Sequence, residues 1–385
     1  MNGDQRMRIV VIGRNFPTKE NNMCGSFEFE QAQMIARFGH EVYYPYIDLR
    51  SIRHWRKFGL TKEIKNGVRV IAINIPIGRL LPAFLRNKLY MPLWHWLFKK
   101  IGREYGNPDI VHVHYPSLFE YGCFEDLQKA GIKLVGTEHW SEVQKKTLPS
   151  NCLKNLNDFV KNADIVCCVN KVLKESIIEL TGTNKEIRVV SNVVNSIFKP
   201  IEEEHSGFRF ISAGRLTSIK QFDKVIEAFL NVFQGQKNII LTLAGDGEEY
   251  NNLVEIIKRK NAGDQVHLLG TVSREKMAAL VAETDVQVVF SKYETFCLPV
   301  IEAWTCGKPV IATTTTTAFA DNADVRLGCM VDWNDIKSLE NAFLYVYEHY
   351  DDYDCRWISE YAKERFREEA VYRKLLDIYR NVMGD

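Results

Sequence analysis

No run of about 18 apolar residues occurs in this 385-residue chain, so no membrane-spanning helix is expected. The first eight residues are polar and lack the apolar core of a secretory signal. The nine cysteines form no Cys-x-x-Cys pair, which removes the usual ligand spacing of a structural zinc site. Their number is odd, and Cys167 and Cys168 stand side by side in an apolar run, which speaks against a disulfide scaffold. Reduced thiols in a cytoplasmic protein are expected. The GxGxxG dinucleotide fingerprint is missing, as are tandem repeats and low-complexity tracts. A formal net charge of +1 excludes nothing by itself; the basic stretch at 50–103 could attract nucleic acid, but no recognised nucleic-acid motif is present, so no such partner is expected.

What is present is alternation. Short apolar runs at residues 8–13, 41–46, 68–75, 109–114, 133–137 and 164–170 read as strands. Helix-like stretches such as 27–38 and 171–180 lie between them. A second series starts near Phe208, with strands expected at 208–213, 238–244, 266–268, 285–290 and 309–312. After its first strand, Ile219, Phe222, Val225, Ile226, Phe229, Leu230 and Phe233 repeat at the period of a helix face. Ser273 is placed to cap a further helix. Strand–helix alternation builds parallel sheets covered on both faces. The stretch 195–207 holds Pro200 and the acidic run Glu202 to Glu204, and it reads as a linker. The domains expected are therefore 1–195 and 196–368, with a final helix at 369–385 that packs back on the first. Ligands of such sheets bind at the carboxyl ends of the strands.

Two segments carry charged residues at such ends. In SAGRLTSIKQF (212–222), Gly214 permits close approach, and Arg215 and Lys220 offer cations suited to phosphate. In SKYETFCLPVIEAWTCGKPVIAT (291–313), Pro299 suits a first helical turn. The NH groups of residues 295–298 then lie at a helix N-terminus, which attracts phosphate or hydroxyl oxygens. Glu294 precedes the turn and Glu302 follows one turn into the helix, so two carboxylates could receive hydroxyls from two parts of one ligand. The alternative for Glu302 is a cap or ion pair at a helix surface. LAGDGEEY (243–250) is a third strand–turn–helix junction, and Thr313 to Thr317 reads only as a polar loop.

Taken together, GRLTSIKQF, AGDGE and the E-x7-E pair followed by CGKPVIAT resemble the GT-B retaining glycosyltransferases of family 4 (glycosyl transferases group 1). GSFEFEQA with GHEV, PDIVHVHYP, TEHW and SNVVNSIFKP extend the likeness over nearly the whole chain. The resemblance implies an α/β GT-B fold, with two doubly wound, Rossmann-like parallel-sheet domains facing a central cleft. It implies that Arg215 and Lys220 hold the diphosphate of a nucleotide sugar and stabilise its charge. Glu302 would hold the ribose and Glu294 the hydroxyls of the transferred sugar, with Phe296, Cys297 and Leu298 lining the pocket. Gly25 would let the N-terminal domain approach the diphosphate, and His139 would sit near the transferred sugar. Fixed cations and helix NH groups can carry this chemistry without a metal or other cofactor. The family commonly has Gly where Cys297 stands, and a positive φ there would strain a cysteine. The implied reaction is hexose transfer from a UDP- or GDP-sugar to a glycan or lipid-linked glycan, in cell-surface polysaccharide synthesis. A catalytically silent nucleotide-sugar binder and a GT-B sugar-nucleotide epimerase are the other readings.

His112 and His114 alternate on one strand and share a face, without an evident third ligand for a metal. Residues 50–103 hold thirteen basic side chains against one acid, Glu63. Within them, 84–103 is rich in Trp, Phe, Leu and Lys, as suits a helix lying in an anionic membrane surface at the inner face of the membrane. Pro92 would kink or break that helix. The alternative is a helix whose apolar face packs on the N-terminal sheet.

Overall fold

In a computed structural model, which describes residues 6–17, 25–78, 80, 82–201 and 205–384, the chain divides into two compact units. Unit 1 is Met1–Val193 with Tyr372–Asp385, and unit 2 is Val194–Val371. The acidic run at 202–204, Cys24 and Arg79 lie outside the described residues.

Unit 1 contains β1 (Arg8–Ile12), β2 (Glu41–Asp48), β3 (Gly59–Lys65), β4 (Val68–Asn74), β5 (Ile110–His114), β6 (Lys133–Glu138), β7 (Ile165–Cys168) and β8 (Ile187–Val189). Their order in the sheet is β3-β4-β2-β1-β5-β6-β7-β8. β3 runs antiparallel to β4, and the other pairs in this sheet are parallel among the described residues. All residues of β5 and β7 are buried, as expected of parallel strands covered on both faces. Asn170 caps helix Lys171–Thr181 by accepting from Leu173 N at 2.6 Å, and Gly182 ends it in the left-handed region. From the C-terminal helix Glu368–Met383, Tyr372 stacks on Phe38 with centroids 3.9 Å apart.

Unit 2 contains β9 (Phe208–Ala213), β10 (Ile239–Ala244), β11 (Val266–Leu268), β12 (Val286–Val289), β13 (Val310–Thr313) and β14 (Gly328–Val331), in the order β11-β10-β9-β12-β13-β14. That is the doubly wound order 3-2-1-4-5-6, whose topological switch point lies between its first and fourth strands, here β9 and β12. Helix Phe222–Phe233 covers the sheet with Phe222, Val225, Ile226, Phe229, Leu230 and Phe233 buried. Each such side chain contributes roughly 1.5–3 kcal/mol by leaving water. Both expected doubly wound α/β units are thus present.

Three expectations need correction. Ile219 is not part of the helix that its spacing suggested; it is exposed, and the helix starts only after Gln221, which takes φ 50° and donates its side-chain amide to Phe290 O and Trp333 O. Second, Pro92 does not break helix Ala83–Tyr105. The turns after it bury Trp94, Leu97, Phe98 and Ile101, and burial of that size outweighs the roughly 3 kcal/mol an internal proline costs. Third, that burial packs these four side chains in unit 1, as the alternative reading of the helix had it, while Trp96 on the same helix stays 47% exposed. β3, β8 and β14 were not foreseen: β3 and β8 are sheet edges with mixed exposure, and β14 is four residues long.

Many basic side chains between 50 and 103 have structural partners. Arg50 and Arg56 both pair with Asp48, and Arg56 also donates to the carbonyls of Asp48, Arg50, Ser51 and His54. Lys62 pairs with Glu104, and Arg69 lies over the Tyr43 and Tyr105 rings. The arginine staple holds a loop on which Ile52 and Trp55 are 60% and 75% exposed.

Candidate functional site

At the switch point of unit 2, two strand-end loops are locked side by side. Gly214 N donates to Ala244 O at 3.0 Å and Leu216 N to Asp246 O at 2.9 Å, while Glu249 N returns to Leu216 O at 3.1 Å. The glycines of AGDGE make this approach possible. A Cβ on Gly245, at φ 146°, would stand 1.8 Å from Gly214 O, and one on Gly247 would stand 2.3 Å from Leu216 O. Gly214 itself has φ 151°. Tight turns, Thr217 N to Arg215 O and Lys220 N to Thr217 O, both 2.9 Å, then carry the chain to Lys220. Arg215 is exposed, and its guanidinium has no hydrogen bond or ion pair among the described residues.

The segment after β12 meets this loop. Lys292 N donates to Ile219 O at 2.8 Å. Lys220 Nζ pairs with Glu294 Oε1, and the same oxygen accepts from Ser291 Oγ at 2.7 Å. Two side chains expected to meet different parts of a donor therefore meet each other. Burial pulls the Lys220 pKa down, but the Glu294 carboxylate outweighs it and the net shift is upward, so the ammonium stays charged. An ammonium has three donors, and Glu294 takes one of them.

The threonine run is more than a polar loop. Thr313 Oγ1 and Thr315 Oγ1 donate to Ser291 O at 2.8 and 3.1 Å, and Thr317 Oγ1 donates to Thr295 O at 2.6 Å. Thr316 bridges Glu294 through the backbone, and Ala318 N donates to Phe296 O at 3.1 Å. These bonds hold the backbone of residues 291–296 from behind. Sequence reasoning missed them because each depends on a crossing of loops that only the sheet order creates.

Helix Leu298–Thr305 follows, with Pro299 in its first turn and no side-chain cap. Pro299 has no NH and Val300 N donates to Cys297 O at 3.2 Å, so within this first turn the NH of Leu298 is the one placed for an anionic or hydroxyl ligand. Phe296 and Cys297 are buried, and Leu298 is partly so. Cys297 has φ 79°, the strained case anticipated for a non-glycine residue. Burial first, and then the negative charge of Glu294, push its thiol well above the ordinary range. Cys297 is thus a packed thiol, not a thiolate nucleophile. Glu302 is buried and forms an ion pair with Arg274 at 3.1 Å.

Gly25 and His139 belong to unit 1. Gly25 has φ 78°, and a Cβ there would meet Asn15 O at 2.0 Å, so this position seats the start of helix Ser26–Arg37 against the loop after β1. His139 follows β6 and is buried among Phe27, Tyr115 and His114. Its Nε2 is 2.8 Å from His114 Nδ1. Burial, then the Arg14 charge, hold the His139 pKa well below its usual value, so the ring is neutral. Arg14 itself lies 4.1 Å from the centre of the Tyr115 ring and donates to the buried Glu28 at 2.9 Å. Neither Arg14 nor Glu28 was singled out from the sequence, although Glu28 stands inside GSFEFEQA.

His112 is occupied by Tyr379 OH and Thr137 Oγ1, both at 2.7 Å. Among the described residues no group of three or more His, Cys, Asp or Glu is arranged to hold a metal. The Asp-x-Asp triplet Asp352–Asp354 is engaged elsewhere: Asp352 pairs with His349, and Asp354 caps helix Cys355–Phe366.

Residues 29–196 match the family described as Glycosyltransferase Family 4, and residues 194–365 match Glycosyl transferases group 1. The chain is 27% identical over 299 residues to N-acetyl-alpha-D-glucosaminyl L-malate synthase of Bacillus anthracis, covering 72% of this chain and 76% of that protein. It is 28% identical over 216 residues to the phosphatidylinositol N-acetylglucosaminyltransferase GPI3 subunit of Saccharomyces cerevisiae, covering 53% of this chain and 48% of that protein. The match thus spans about half the length of several curated relatives. Sucrose-phosphate synthase from Thermosynechococcus elongatus superposes with a TM-score of 0.75 at 22% identity, over 98% of this chain and 100% of the other. Anabaena HepE in complex with UDP superposes with a TM-score of 0.73 at 15% identity, over 97% and 99%. These two likenesses are of fold.

Proposed function

This chain belongs to the family 4 glycosyltransferases of the GT-B fold, and from that premise we propose that it transfers a hexose-type sugar from a UDP- or GDP-sugar, with retention and without a metal. The observation that carries this reading is the meeting of the Arg215–Lys220 loop with Glu294 at the switch point of unit 2. Bond breaking leaves a nucleoside diphosphate, so the site must stabilise growing negative charge. The Lys220 ammonium is fixed before reaction by its pair with Glu294, which is where such stabilisation is most effective, and the exposed Arg215 guanidinium adds a second cation at the same strand end. Glu294 receives hydroxyls of the transferred sugar, and Glu302 receives those of the ribose. No side chain is assigned as a nucleophile.

A UDP-linked N-acetylhexosamine is the first donor to try, since the relatives named above are N-acetylglucosaminyl enzymes and HepE binds UDP. The acceptor we propose is a glycan or lipid-linked glycan of cell-surface polysaccharide synthesis. The test is incubation with a panel of UDP-, GDP- and ADP-sugars in EDTA, read by product mass. Transfer or donor hydrolysis at a rate that EDTA leaves unchanged is expected. Binding without turnover would point to a silent nucleotide-sugar protein, an isomerised donor to an epimerase, and a rate abolished by EDTA and restored by Mg²⁺ to a metal-dependent enzyme.

We also propose that the chain works at an anionic membrane surface. No described helix is long and apolar enough to cross a membrane. The contact moves from the helix, on which Trp94, Leu97, Phe98 and Ile101 are buried, to the stapled loop carrying Ile52, Arg53, Trp55 and Lys57. The wild type is expected to float with anionic vesicles at low salt, and Trp55→Ala to float markedly less. Equal flotation of the two proteins would remove the loop from the contact.

A further inference from the structure

We propose that Arg274 is a positioning residue for the donor's ribose, acting through Glu302. The inference rests on the reading of Glu302 as the ribose-binding carboxylate. Arg274 is the first residue of helix Arg274–Ala282, which Ser273 caps by accepting from Lys276 N at 3.1 Å. From there its guanidinium reaches Glu302 Oε1 at 3.1 Å. Glu302 belongs to a different helix, Leu298–Thr305, and its side chain is 5% exposed. The guanidinium also lies 5.3 Å from the centre of the Phe198 ring, which is fully buried. An aromatic face thus backs the cation that faces the carboxylate.

The arrangement has two physical consequences. A carboxylate taken this far out of water needs a partner charge, and Arg274 supplies one. The planar fork of arginine also restricts how the carboxylate plane can turn, which a point-like ammonium does less well. With Arg274 against Oε1, the carboxylate is held in place before the ribose arrives. Ordering the acceptor before the ligand arrives lowers the entropy lost on binding. Arg274 need not touch the nucleotide to do this.

The readout is hydroxyl discrimination. UDP and 2′,3′-dideoxy-UDP are titrated into the full chain by calorimetry, with the GDP pair run alongside. The wild type should prefer the ribonucleotide by about tenfold or more, the size expected when hydrogen bonds to a charged group are lost. Arg274→Met should bring that ratio to within about twofold by weakening the ribonucleotide alone. Unchanged affinity for the dideoxy compound shows that the variant remains folded. Arg274→Lys, the milder change, should give an intermediate ratio and keeps the test open if the methionine variant does not fold. Wild-type-like ratios in the variants, or equal weakening of both ligands, overturn the positioning role. A wild-type ratio near one overturns the ribose reading of Glu302, and the inference with it.

Discussion

Lys220→Ala is expected to lower turnover roughly a hundred- to a thousandfold, the range seen when one preorganised charge-stabilising donor is removed. Substrate affinity should fall by much less, because the charge on the leaving diphosphate grows as the bond breaks. The same substitution also has a folding consequence. It leaves Glu294, only 9% exposed, with Ser291 Oγ but without its ammonium partner. A buried carboxylate stripped of its cation costs about 1–3 kcal/mol, toward the lower end here because Lys220 is partly exposed. The two effects can be separated. Lys220→Ala combined with Glu294→Gln removes the stranded charge, so thermal stability should recover while turnover stays low. A Lys220→Ala enzyme with near-normal turnover would end the phosphate role. A double variant no more stable than the single one would show that the ion pair matters little to the fold.

Gly245→Ala is expected to destabilise unit 2 by roughly 3–5 kcal/mol, the upper range for a single residue. The methyl group would enter a backbone at φ 146° and stand 1.8 Å from Gly214 O. Neither the conformation nor the contact can relax without pulling apart the two loops that carry Arg215 and Lys220. A shift in the unfolding midpoint on the order of 10 °C follows for a unit of this size. Gly263→Ala is the control, since a Cβ there meets nothing within 4 Å and its φ is ordinary. Scanning calorimetry of both variants decides the point. If Gly245→Ala melts like Gly263→Ala, the side-by-side packing of the two loops does not constrain the site.

The parts of this site that were legible in the sequence share a physical reason. Glycines at strand ends, a proline in a first helical turn and cations just past a strand are local features. They announce themselves in GRLTSIK, AGDGE and the run from Glu294 to Glu302. The order β11-β10-β9-β12-β13-β14 then places Gly214 and Ser291 after neighbouring strands. Cys297 was also legible as a departure, and its φ of 79° bears out the strain that a cysteine there would meet.

What was not legible depends on tertiary crossings. Hydroxyl bonds from Thr313, Thr315 and Thr317 to a loop about 22 residues earlier leave no periodic trace. Arg274 and Glu302 sit on two helices that meet only in the folded unit. The amphipathic stretch 84–103 showed an apolar side but not what covers it; protein and lipid ask for the same residues. Only the burial of Trp94, Leu97, Phe98 and Ile101 separates the two cases. Ile219 fell on the helix face by spacing alone, and the left-handed Gln221 two residues later excludes it.

The central claim is that residues 214–220 and 294–302 form one nucleotide-sugar site. A crystal of the full chain grown in EDTA with the product nucleoside diphosphate tests it most directly. The account predicts phosphate oxygens about 3 Å from Lys220 Nζ and within reach of Arg215, with the ribose hydroxyls on Glu302. A nucleotide bound away from these residues, or one that binds only when a divalent cation bridges its diphosphate to the protein, would contradict it.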